Sequence, residues 1–111
     1  MRNILIRNKE SDIGHIIENL AYLELMRRGY DVYVGDIDKG EVDFLAIKNN
    51  QTEYYQISAT TLNPDTLARE LAPLQSVQDN YPKYLLTLDE LFGEANYNGI
   101  QKKNLIKWLL E

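Results

Sequence analysis

A chain of 111 residues with 44% apolar and 26% charged residues has the size of one domain with one modest core. Seventeen acidic against twelve basic side chains leave a formal net charge of −5, which excludes the broad phosphate-neutralising surface of a general nucleic-acid binder. No apolar run approaches the roughly 20 residues of a membrane span, and the lack of cysteine excludes disulfides and thiolate metal sites.

The amino terminus, MRNILIRNKE, sets Arg2, Arg7 and Lys9 around three consecutive apolar residues, too few for the core of a signal peptide. An amino-terminal arm of about residues 1–11 and a cytoplasmic location are expected. Ser11 or Asp12 can cap a helix, and Ile13, Ile16, Ile17, Leu20 and Leu23 then recur at helical spacing until Gly29 supplies a left-handed stop. The spacing predicts a helix over about 12–28, with Arg27 and Arg28 forming one of two basic pairs in the chain.

Three strands are predicted next, YDVYVG (30–35), EVDFLAIK (41–48) and TEYYQISAT (52–60), each rich in β-branched or aromatic residues. The DIDKG loop, with Asp36 and Asp38 beside Glu41, reads as a solvated acidic turn, and KNNQ as a hairpin turn. Asn63, Pro64 and Asp65 open a second helix over about 64–77, since Asn caps, Pro suits the first position and an acid suits the positive end of the dipole. Asp79, Asn80 and Pro82 mark the exit, KYLLTLD (83–89) is a buried fourth strand, and EANYNG reads as a loop.

The tail GIQKKNLIKWLLE holds the second basic pair, Lys102 with Lys103. It reads as a short strand near 101–105 followed by a helical turn with Leu105, Trp108 and Leu109 inward. Should the domain dock a partner, the region around Leu105 and Trp108 is where an exposed apolar patch is expected. A helix between the third and fourth strands implies a crossover connection. The expected fold is therefore α/β: a single domain over 1–111, with a mixed sheet flanked by helices in two or three layers.

The polar residues that carry potential chemistry lie in separate elements: Glu18 in the first helix, Asp43 inside the second strand and Gln56 in the third. Oxygen donors brought together this way suit a hard divalent cation. An aspartate inside an apolar strand costs several kcal/mol unless it is partnered, and Arg69 or a backbone amide is the expected non-metal partner.

This constellation on an α-β-β-β-α-β order resembles the PD-(D/E)xK nuclease-like superfamily, whose core is restriction-endonuclease-like. The segments GHIIENLAYLELMRRGYDVYVGD, EVDFLAIKNNQTEYYQIS, ARELAPLQSVQDNYPKYLLTLD and NGI, in that order, resemble the carboxy-terminal DUF4143 domain that follows an ATPase domain in many bacterial and archaeal proteins. The resemblance implies a Mg²⁺ or Mn²⁺ ion held by Glu18, Asp43 and Gln56. Gln56 stands where the family has an acid, and Ser58 where it has the lysine that supports the attacking water. Serine cannot supply that positive charge. Lys48 and Lys83 are the substitutes to weigh. No G-x-x-x-x-G-K-S/T occurs, so no ATP site is expected in this chain.

The resemblance thus implies a catalytically degenerate nuclease-like domain serving as an interaction or regulatory module, partnered by an ATPase domain of a longer protein or by another protein. The alternatives are a magnesium-dependent DNA endonuclease and a dimerising or partner-docking module, so DNA and a second copy also stand among the expected partners.

Overall fold

The computed structural model describes residues 9–34, 42–77, 79–91 and 94–111, and for 9–11 the backbone alone. Asp36, Asp38 and Glu41 of the acidic loop, and Arg2 and Arg7 of the amino-terminal arm, lie outside the described residues. The first helix, α1, spans Lys9–Arg27, so it begins before Ser11 and takes in the end of the predicted arm. Gly29 closes it with φ +92°, while Tyr30 N–H bonds back to the Leu25 carbonyl as a left-handed stop requires.

Strands β1 (Asp31–Tyr33), β2 (Phe44–Lys48) and β3 (Gln51–Ser58) form an antiparallel meander. Asn49 and Asn50 both adopt positive φ in the two-residue turn between β2 and β3, a conformation that asparagine tolerates better than other side-chain-bearing residues. The second helix, α2 (Pro64–Ser76), begins where the sequence predicts, with Asn63 Oδ1 accepting the Asp65 N–H at 2.8 Å. Replacing Asn63 with Ala should cost about 1 kcal/mol of stability, and an unchanged urea midpoint would show that the cap is idle.

Beyond α2 come β4 (Lys83–Thr87), β5 (Ala95–Tyr97), β6 (Ile100–Asn104) and a final short helix, α3 (Leu105–Leu109). The EANYNG segment is therefore not merely a loop: it contains β5, which pairs antiparallel with β6 across Asn98 and Gly99, both at positive φ. Asn-Gly is the strongest local hairpin signal there is, and it outweighs the polar composition that suggests a loop.

The six strands lie in the order β1-β2-β3-β4-β6-β5, with β3, β4 and β6 parallel. The α2 crossover makes the first of these parallel pairs, so the sheet is mixed, as predicted. Side chains alternate between two apolar clusters. Tyr55, Ile57 and Leu86 meet Ile17, Ala21 and Leu25 of α1 and Leu105 and Trp108 of α3. On the opposite face Leu85 and Ile100 meet Leu71 and Leu74 of α2. The result is a three-layer α/β/α sandwich.

Two expectations about surfaces fail. Of the five apolar residues whose spacing predicts α1, only Ile17 is buried; the inward stripe is Ile17, Ala21 and Leu25. Leu105 and Trp108 are core residues rather than an exposed patch, because β6 delivers α3 straight onto the α1 face of the sheet.

Candidate functional site

A cleft of about 310 Å³ opens where the amino-terminal half of α1 and the first turns of α2 flank the exit of β3. From α1 it takes His15 and Glu18, from β3 and its exit Ser58 and Thr60, and from α2 Thr66, Arg69 and Glu70. The crossover geometry explains the convergence, since α2 must start beside the carboxyl end of β3 in order to return to β4. Glu18, Ser58 and Arg69, all singled out from the sequence, share this cleft. Ser58 donates its hydroxyl proton to the Thr60 carbonyl at 2.9 Å, which holds the turn leaving β3.

Asp43 and Gln56 do not line the cleft. Asp43 lies just ahead of β2 rather than inside it, and its carboxylate accepts the Ile57 N–H at 2.9 Å. Gln56 Oε1 accepts the Asp43 N–H at 2.8 Å in return. The two side chains thus extend the β2–β3 ladder past the last backbone pair, Phe44 with Tyr55. The backbone-amide alternative to a metal is the one realised for Asp43. Gln56, buried, also hydrogen-bonds Glu70 through its side chain and so ties α2 to this clamp.

Glu70 is the cleft residue that the sequence did not mark. Burial raises its pKa above the ordinary carboxylate range and the charge of Glu18 adds to this, while Arg69 and Gln56 oppose the shift. Arg69 is mostly exposed and reaches Glu70 only at 3.9 Å. The candidate substitute lysines are committed elsewhere: Lys48 donates to the Arg28 carbonyl and Lys83 to Asp79 and the Tyr81 carbonyl. Among the described residues, no group of three or more His, Cys, Asp or Glu side chains is arranged to hold a metal ion.

A second polar cluster, also unmarked by the sequence, sits at the carboxyl ends of the parallel strands. Lys102 Nζ donates to Asp89 at 2.9 Å, with side chains 1% and 3% exposed respectively. Asp89 also accepts from Thr60 Oγ1 at 2.5 Å and from the Thr61 N–H at 3.0 Å, and its own carbonyl accepts from Asn104 Nδ2. Lys102 and Lys103 are therefore not a surface pair: one points into the sandwich, and the other reaches Glu111. Arg27 and Arg28 both bind Glu24 and pull its pKa down to about 2.

No family model matches the chain. All 111 residues align, at 33% identity, with an uncharacterized protein of Haemophilus influenzae, of which the chain covers 27%. The chain thus spans about a quarter of the length of that curated relative. Among the described residues, no helix is long and apolar enough to cross a membrane.

Proposed function

We propose that this is a nuclease-like domain that has lost catalysis and serves as an interaction or regulatory module of a longer protein, whose other part is an ATPase. The observation that carries the reading is the reciprocal clamp between Asp43 and Gln56. Two of the three oxygens that the nuclease resemblance assigns to Mg²⁺ or Mn²⁺ are bonded to backbone N–H groups of the neighbouring strands. As arranged, Glu18, Asp43 and Gln56 do not fit a divalent ion. Ser58 brings no positive charge to the cleft, and its hydroxyl is engaged with Thr60. The greater length of the Haemophilus relative supports the module half of the reading.

Calorimetric titration with Mn²⁺, beside plasmid nicking in Mg²⁺ or Mn²⁺, tests the first half. Neither saturable heat nor nicking is expected. One ion per chain, lost in Asp43→Asn together with nicking, would establish the endonuclease reading instead. For the second half, ATP hydrolysis by the Haemophilus protein should change when its matching segment is deleted; an unchanged rate would remove the regulatory role.

A further inference from the structure

The face of α1 turned away from the sheet is as apolar as the face turned toward it. Ile17, Ala21 and Leu25 are buried, yet Ile13, Ile16, Leu20, Leu23 and Met26 are 41–59% exposed. A surface helix of a globular domain carries one apolar stripe, and a helix apolar on both sides is covered on both. The outward residues Ile13, Ile16, Leu20 and Leu23 follow spacings of three, four and three, the seam pattern by which helices pair.

We propose that this seam is a homodimer interface in which α1 packs antiparallel on α1 of a second copy. The spacing reads the same in both directions. An antiparallel partner centred on Glu18 places Ile13 opposite Leu23 of the other chain and Ile16 opposite Leu20, so that every layer is apolar on both sides. Arg27, which would occupy the next seam position, is held by Glu24 at 2.6 Å and ends the apolar run. The five outward residues offer on the order of 450 Å² of apolar surface per chain. A pair then buries about 900 Å², and the flanking polar atoms bring the total to the roughly 1,000 Å² at which specific interfaces begin. The dimer is accordingly weak, forming in the micromolar to millimolar range. This inference stands apart from the loss of catalysis and does not depend on it.

Sedimentation equilibrium of the wild type should show the mass rising from one chain toward two across that range. Leu20→Glu should raise the dissociation constant at least tenfold while circular dichroism stays unchanged, since the side chain is exposed. The chain lacks cysteine, so disulfide trapping is clean: Ile13→Cys mixed with Leu23→Cys should cross-link to each other, and neither should link to itself. A wild type that remains one chain at millimolar concentration overturns the proposal and leaves the seam to another polypeptide, such as the rest of a longer protein. Association unaffected by Leu20→Glu overturns it as well, and self-linking of Ile13→Cys would replace the antiparallel arrangement with a parallel one.

Discussion

Asp89→Ala should lower the stability of the domain by about 3–5 kcal/mol, the usual cost of stranding one member of a buried ion pair. The variant leaves the Lys102 ammonium almost wholly inside the protein without its carboxylate, and it removes the acceptor for Thr60 and for the Thr61 amide. A melting temperature lowered by more than about 10 °C is expected for a domain of this size. Replacing Lys102 with Met in the same chain should recover part of the loss, because an apolar side chain needs no counter-charge. A double variant no more stable than Asp89→Ala would mean that the threonine contacts, not the ion pair, carry the effect. Acid should act in the same direction. Burial alone would raise the Asp89 carboxyl, but Thr60, Lys102 and the Thr61 amide outweigh it and hold the group below its ordinary value. Its contribution is therefore complete above the unfolded pKa of about 3.9 and is lost as pH falls through the lower folded value.

Trp108→Ala should cost a similar amount, about 3–5 kcal/mol, through the large cavity it opens. The indole is 2% exposed; its ring lies 5.7 Å from that of Tyr55, and the Arg28 guanidinium sits 4.5 Å above it. Arg28 also donates to the Trp108 carbonyl at 2.5 Å, so one residue fastens α3 to both the sheet and the end of α1. Trp108→Phe keeps most of the volume and should lose less than half as much in urea denaturation followed by circular dichroism. Equal losses in the two variants would show that the cation–ring contact, rather than packing, holds the tail.

What the sequence revealed and what it hid divide along a physical line. Features that depend on a few neighbouring residues were legible: the Asn63 cap, the Gly29 stop, the Asn49–Asn50 turn and the apolar run of β4. The Asn98–Gly99 hairpin belongs to the same kind, and its signal was present but read as loop. Features that depend on distant partners were not legible. Nothing near Asp43 in the chain says that Gln56 and the Ile57 amide will meet it, since that is decided by the β2–β3 register. Lys102 beside Lys103 looks like surface charge until the alternation of β6 separates them. Its inward position between Ile100 and Asn104 is the hint that was available. The inner face of α1 was misjudged because its apolar residues surround the helix, and periodicity cannot choose between two apolar sides.

Both margins of the sheet are three-residue strands, β1 and β5. So short an edge offers few open backbone donors and acceptors, and it is a poor template for another strand to extend. Lateral growth into larger β-assemblies is therefore discouraged by construction, and recognition of other proteins falls to the helical layers instead.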